Sequence, residues 1–502
     1  MQGPSSSSAP TSPGASAAVE ASPADRALPK PPGQSRSAAN QSPLRYTLES
    51  IEVRGNAKTR SRVVLRYVPF HPGDIIDVDE PAIALTRYRL LGTGFFRDVQ
   101  FNLRKGSSRG RVVLVIEVVE RNTLVVSDVL MGIAEGASIH SDSRDLTPYA
   151  GFDIAETNLG GTGITLGAAL ALDRSQLALR LRFLDPAFLG GDFMTHGELI
   201  YSDAVDFAGN TDVVWDDPSQ VSGVPRLAPI TYNRFGGSLG AGTDLSVSTQ
   251  LWFNYRLETI ETHLPRFASH RRGLDREPVP FDILPDHSVL STVRASLQQD
   301  TRDKPFLPTT GWLTTLTGEV SLSPTGSDYA YQRLDLSISR WWKLPSDHVI
   351  RLDAFAGAIT GTAPFFEQYY VGDFSDFLPA RFLGLSFDTR PSPNFLGTDI
   401  IEIRYARYAG KLSGEYRIPL YRGTRSVYGI DFFSNLGVFG IANPRDIERP
   451  PSGYSGASRL PVDLTANLGF RMDTSAGGFS FAFANVLGFL PLERDSRPEP
   501  VQ

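Results

Sequence analysis

The chain has 502 residues, a formal net charge of −6 and 21% charged residues. That balance excludes the basic surface a nucleic-acid partner requires, and the absence of cysteine excludes a disulfide framework or a thiolate metal site. Glycine (46) and proline (36) are abundant, as are Phe (30) and Tyr (17), yet no apolar run reaches the ~18 residues expected of a transmembrane helix.

The first residues, MQGPSSSSAP, have neither a basic n-region nor an apolar h-region, so they do not read as a signal peptide. If the protein is exported, this is the mature chain or a mis-assigned start. Residues 1–44 are Ser, Pro, Ala and Gly with almost no large apolar side chain. Such a segment cannot bury enough surface to offset its ordering entropy, and a disordered tail or linker is expected.

Residues 45–121 read as a small α/β domain. LESIEVRGN is a strand ending in a turn at Gly55 and Asn56. KTRSRVVLRYVP is a short helix. VDEPAIALTRYRLLGTG is a better one, with Pro81 in its first turn and Gly92 and Gly94 at its end. FRDVQFNLRKG then alternates, and RVVLVIEVVE is an almost continuous apolar strand. The predicted order is strand, helix, helix, strand, strand.

From residue 122 to 492 the helical period disappears. Runs of about ten residues alternate instead: Leu177, Leu179, Leu181 and Phe183 against Arg180 and Arg182; Leu251, Phe253, Tyr255 and Leu257 against Asn254, Arg256 and Glu258. A soluble β-sandwich also alternates, but here the polar face repeatedly carries full charges, as a wet lumen would. The runs also reach the ~9–11 residues a tilted strand needs to cross a bilayer. With the first such strand at Leu124–Glu135, connections after even-numbered strands are short: 158–163, 185–191, 300–311, 345–348, 421–426 and 474–477. Several after odd-numbered strands are long: 203–229, 262–287, 361–399 and 441–460. Outer-membrane barrels have short periplasmic turns and long outer loops, which places the small domain in the periplasm. DTRDKPFLPTTGW becomes a periplasmic connection whose prolines end a ladder and whose charges sit in water, with Trp312 at the interface.

These residues resemble the BamA/TamA/Sam superfamily of outer-membrane assembly barrels, with a single POTRA domain. IEVRGN, PGDIID and LLGTGFFRDVQF look like the POTRA pattern, through Gly55, Asn56, Gly73, Gly94, Phe96 and Val99. ETNLGGTG (Gly160, Gly161, Gly163), RFLDPAFLG (Asp185, Pro186) and DTRDKPFLPTTGW (Asp300, Arg302, Asp303, Pro308, Gly311) each resemble a characteristic periplasmic turn. FFEQYYVGDFSDFLPARFLGL resembles the long loop that folds back into the lumen. The resemblance implies that Arg381 of this loop pairs with carboxylates on later strands. Glu415 occupies one such position, Asn435 stands where the family usually has Asp, and the loop's Gly is displaced to Gly384.

The fold expected is therefore mainly β: an antiparallel transmembrane barrel of about 16 strands, 15 to 16 of them visible, after one POTRA domain. A polar tail, 493–502, follows. An odd count leaves the first and last strands parallel, which points to truncation or atypical closure. The resemblance implies an assembly or insertion factor in the outer membrane, acting by edge-strand pairing at a lateral seam that Gly132 and Gly136 would weaken. A two-partner-type secretion pore is the alternative. Unfolded outer-membrane or secreted polypeptides, outer-membrane lipid, and accessory periplasmic chaperones or lipoproteins are the partners implied. No nucleic acid, cofactor, metal or catalysis is expected. GGSLG formally matches G-x-S-x-G at Ser238, but it lies inside an alternating strand rather than at a strand-to-helix turn.

Overall fold

A computed structural model of the chain describes residues 45–77, 81–136, 145–207, 213–215, 229–264, 268–272, 275–278, 281–376, 378–392, 394–448 and 453–484. The terminal segments 1–44 and 493–502 lie outside the described residues, as does part of the first outer connection.

The N-terminal part orders as β1 (Arg45–Arg54), α1 (Ser61–Leu65), β2 (Ile75–Asp77), α2 (Pro81–Gly92), β3 (Phe96–Lys105) and β4 (Arg111–Glu120). The sheet order is β2-β1-β4-β3, with β1 and β4 parallel and β3 on an edge. The short β2 is the one element the sequence pattern did not give. It pairs with β1 over Arg45–Thr47. The core comprises Leu48, Val64, Ile76, Leu90, Phe96, Val99, Leu114 and Ile116. Two glycines are required here, Gly55 by close backbone approach and Gly73 by its left-handed backbone. Gly55 has φ +83°, and a Cβ on it would collide with the Val118 carbonyl. Gly73 has φ +103° and donates its N–H to Leu48 O at 2.8 Å. Gly94 (φ +76°) closes α2, and the Asn56 amide donates to Thr59 O at 2.9 Å, fixing the approach to α1.

Most of the remaining described residues form one antiparallel sheet of fifteen strands in chain order. Its first eight are β5 (Leu124–Gly136), β6 (Asp145–Glu156), β7 (Thr165–Leu172), β8 (Leu177–Asp185), β9 (Met194–Phe207), β10 (Pro229–Ser246), β11 (Thr249–His263) and β12 (Asp286–Asp300). The remaining seven are β13 (Gly311–Ser321), β14 (Ala330–Lys343), β15 (Val349–Thr362), β16 (Tyr408–Arg422), β17 (Val427–Ala442), β18 (Val462–Thr474) and β19 (Gly477–Phe483). The sheet curls into a nearly closed barrel, and β5 approaches β19. Outward positions expose large apolar side chains such as Met131, Leu239 and Phe253. Inward positions carry buried polar groups including Asp153, Glu258, Glu319 and Glu415. Burying charge inside while exposing hydrocarbon outside inverts a soluble core, and fits a barrel whose outer solvent is lipid. No helix of the described residues is long and apolar enough to cross a membrane.

Candidate functional site

Three structures meet at the two edges of the sheet: the seam, the 363–407 loop inside the barrel, and the 301–310 turn beneath it.

At the seam, no ladder joins β5 to β19 among the described residues. Near the short-turn end, one backbone hydrogen bond runs from Val126 N–H to Ala476 O at 2.9 Å. Gly477 (φ +134°) makes this approach possible, since a Cβ there would sit 2.7 Å from Val126 O. Arg121, buried at the end of the N-terminal domain, reaches across to Asp473 (3.2 Å) and Thr474 O (2.5 Å). Its guanidinium lies 4.7 Å from the ring centroid of Phe306 and 5.1 Å from that of Tyr428. Farther up, β18 pairs with β19 only from Leu468 onward. A register shift between Val126 and Asp128 bulges β5 at this edge. Gly132, expected to weaken the edge, instead makes room for the Tyr149 ring from β6, which would lie within 2.9 Å of any added Cβ. That ring stacks on Phe387 of the inner loop at 4.7 Å.

The inner loop buries Phe365, Phe366, Tyr369, Tyr370, Phe374 and Phe387 inside the barrel. Aromatic bulk supplies its burial; one carboxylate supplies its register. Glu367, in the Phe365–Glu367 turn, accepts from Arg256 at 2.6 Å and lies 3.8 Å from Arg234. Glu258 completes the cluster, accepting from Arg234 at 2.7 and 3.0 Å and contacting Arg256. Arg333 donates to Glu367 O at 3.0 Å. In so enclosed a site each charge is viable only because the opposite charges are present.

The expected Arg381–Glu415 pair is not formed. Arg381 donates to Phe366 O (2.6 Å) and Gln368 O (2.7 Å) and lies 3.6 Å from Asp373, between the Tyr370 and Tyr405 rings. It braces the turn that carries Glu367. Glu415 is held by Arg471 at 2.6 Å, with Asn435 beside it in the ladder. The reason is local: two free carbonyls of its own loop surround Arg381, while Arg471 reaches Glu415 along the wall. Gly384 (φ +83°) follows Leu383 (φ +54°) in a tight turn closed by Phe382 and Leu385. A side chain at Gly384 would press on Arg234 at 3.2 Å.

The loop also touches both sides of the seam. Thr389 donates its N–H (2.7 Å) and hydroxyl (2.6 Å) to Glu135 O on β5. On β18, Asp463 accepts from Phe395 N–H at 3.0 Å and Leu396 N–H at 3.1 Å, and Asn467 donates to Asp376 at 3.0 Å. Nearer the rim, burial and the neighbouring Asp446 raise the Asp399 carboxyl to a pKa of about 6.

The turns predicted from sequence cluster at the opposite end. Gly160 (φ +57°), Gly161 (φ +73°) and Gly163 (φ +81°) shape a turn against α1. Arg60 N–H donates to Gly161 O at 2.9 Å, and Asn158 bridges to Thr59 at 2.9 Å. Pro186 packs where a Gly163 side chain would be, and Asp185 caps Ala187 N–H at 2.9 Å. Burial alone would raise the Glu120 pKa, but the N–H groups of Thr59 and Lys58 outweigh it and hold the carboxyl low.

Lys304 in the 301–310 turn is exposed, as expected, but the other charges staple the turn rather than standing free in water. Arg302 forks onto Asp300 at 2.9 and 2.7 Å, and Asp303 accepts from Thr309 N–H (2.7 Å) and Thr310 N–H (3.1 Å). Gly311 (φ +109°) permits the exit past Thr301. The turn folds inward: Arg417 donates to Pro308 O, and Phe306 packs over Gly478 of β19. Ser238 lies in mid-strand, opposite Arg256 and Glu198.

Comparison with known proteins agrees with this architecture. Residues 158–377 match the Omp85 superfamily domain, and residues 46–121 match a POTRA domain described as a surface antigen variable number repeat. An outer membrane protein assembly factor BamA, from Nitratidesulfovibrio vulgaris, is 22% identical over 334 residues, covering 65% of this chain and 36% of that protein. The chain thus spans about a third of the length of the curated relatives it matches. Among solved structures, CdiB from Escherichia coli superposes with a TM-score of 0.53 at 11% identity, covering 88% of this chain and 72% of that one. BamA from Haemophilus ducreyi lacking POTRA domains 1–3 gives a TM-score of 0.46 at 16% identity over 88% and 80%.

Proposed function

Because this chain belongs to the Omp85 superfamily and carries one POTRA domain, we propose that it is an outer-membrane assembly factor that receives polypeptide strands at its seam. The observation that carries this reading is that, among the described residues, one backbone hydrogen bond, from Val126 to Ala476 just before β19, and a side-chain latch join the two edges rather than a ladder. An edge left with unpaired N–H and C=O groups is costly in lipid, and an incoming strand satisfies it whatever its sequence. In this reading the short-turn end and POTRA domain face the periplasm. Edge strand β3 offers captured clients a second pairing surface before they reach the barrel. Clients are unfolded outer-membrane polypeptides, with accessory chaperones or lipoproteins delivering them. No step calls for a catalytic residue.

A secretion pore would instead pass soluble chains through the lumen. The inner loop stands against it, since it occupies part of that lumen with buried aromatic side chains and a paired Glu367.

The cysteine-free sequence makes the test direct. Single cysteines along Leu124–Glu135, and one at lumen-facing Ser337, are introduced in native envelopes. Disulfides from the strand to terminal strands of other barrels support assembly at the seam. Disulfides from Ser337→Cys to soluble secreted chains, with none from the strand, overturn it in favour of secretion.

A further inference from the structure

Arg340 is a charge on the wrong side of the wall. On β14, Arg333, Asp335 and Ser339 point into the barrel, where Arg333 meets Asp335 at 2.7 Å and Ser339 bonds Asp353. The alternate residues, Leu334, Leu336, Ile338, Arg340 and Trp342, therefore point outward, and Leu334 is 56% exposed. The outward faces of flanking β13 (Trp312, Thr314, Leu316) and β15 (Ile350, Leu352, Ala354) carry no charge. Arg340 is directly paired in register with Trp312 on one side and Leu352 on the other.

Its guanidinium sits between two indoles, 4.5 Å from the ring centroid of Trp312 and 5.5 Å from that of Trp342. Among the described residues it makes no ion pair and no hydrogen bond, and its Nε is buried without a partner. The neighbouring Lys343, by contrast, is satisfied by Asp347 at 2.7 Å. Three residues separate Arg340 from the strand end at Lys343. At ~3.3 Å per residue and ~45° tilt, that puts it about 7 Å above the rim, the depth of headgroups rather than of hydrocarbon.

We propose that Trp312, Arg340 and Trp342 form a binding site for the phosphodiester headgroup of a membrane phospholipid in the leaflet facing the short turns. The proposal rests on the barrel lying in a membrane. A guanidinium offers a planar fork matched to two phosphate oxygens, which Lys cannot reproduce. The stacked indoles hold that fork in place, and their N–H groups can donate to the same headgroup. The site lies on strands nine to eleven of fifteen, roughly opposite the seam. It pins the rigid wall to the leaflet and leaves the seam free of that anchor.

The test uses the full chain folded in maltoside micelles, with native mass spectrometry counting retained dioleoyl-phosphatidylglycerol, dioleoylglycerol as its phosphate-free counterpart, and sodium phosphate as competitor. Expected is a tightly held phosphatidylglycerol whose affinity falls about tenfold or more in Arg340→Gln and less in Arg340→Lys. Lys343→Gln should leave it unchanged, and heat-modifiable gel mobility verifies that each barrel is folded. Phosphatidylglycerol retention equal in Arg340→Gln and the native chain overturns the site. So does displacement by sodium phosphate at equal concentration, which makes the ligand a free anion. Failure of the folded native barrel to retain phosphatidylglycerol also overturns the site, whereas recovery of the chain outside the membrane fraction of the cell would overturn the membrane reading, a separate result.

Discussion

The wall from β10 to β15 and the seam between β5 and β19 are built from the same kind of strand but held by different forces. In the wall, β11 and β12 pair from Thr249–Gln299 to Thr262–Asp286 without interruption. Inside that wall, Arg234, Arg256 and Glu258 grip the loop through Glu367. At the seam the ladder gives way to single contacts: Val126 to Ala476, Arg121 to Asp473 and Thr474, and Thr389 to Glu135. Backbone ladders are cooperative, whereas isolated contacts, backbone or side-chain, are lost independently of one another. The wall is the frame, and the seam is a clasp held at single points.

Breaking the wall's grip should have the largest effect. Glu367→Gln leaves Arg234 and Arg256 with one carboxylate between them, a loss on the order of 3–5 kcal/mol for a buried pair. Protease should then cut within 363–407 in an otherwise folded barrel. Arg381→Ala should give the same cleavage more weakly, about 2–3 kcal/mol for two carbonyl bonds from a charged donor. Glu415→Gln should not release the loop at all, and release in that variant would restore the pairing expected from sequence.

Undoing the clasp at its base comes next. Arg121→Ala should cost about 2 kcal/mol at the seam. Spin labels at Met131→Cys and Phe481→Cys, both on exposed outward positions, should show a broader and longer distance distribution. Thr389→Val at the other end removes one hydroxyl bond, about 1 kcal/mol. It should speed amide exchange in the last residues of β5 while leaving the wall unchanged.

The smallest effect is on pH. Asp399 has its pKa raised to about 6 by burial beside Asp446. Its ionised form is disfavoured in the folded loop. The cost accrues as pH rises from the ordinary ~3.9 to about 6, and is fully present above that. Loop protection against protease should therefore be slightly better at pH 5 than at pH 8. Asp399→Asn should reduce the difference.

The barrel was legible because alternation along a strand is a local property: Leu177–Phe183 against Arg180 and Arg182 needs no knowledge of the partner. The turns were legible for the same reason, since Gly161, Gly163 and Gly311 answer to backbone geometry within a few residues. The ion pairing of the loop was not, because many arginines line the lumen and sequence does not rank them by distance. A signal for Glu367 did exist, as a lone carboxylate inside FFEQYY facing a wall that carries Arg234 and Arg256. The inward fold of the 301–310 turn left no such trace. Its charges read equally well as solvated or as staples, and the inward fold depends on Arg417 and Gly478, which lie more than a hundred residues away in sequence.

The fifteen antiparallel strands among the described residues also impose a parity. With an odd number in the sheet, its two edges run in the same direction, so direct closure requires a parallel pairing in an otherwise antiparallel wall. A single additional strand running the other way satisfies both edges at once with antiparallel ladders. A two-stranded hairpin can satisfy only one edge that way and meets the other in parallel. The described sheet therefore carries a parity rule: an odd number of added strands would close it with antiparallel ladders, and an even number would leave the same mismatch.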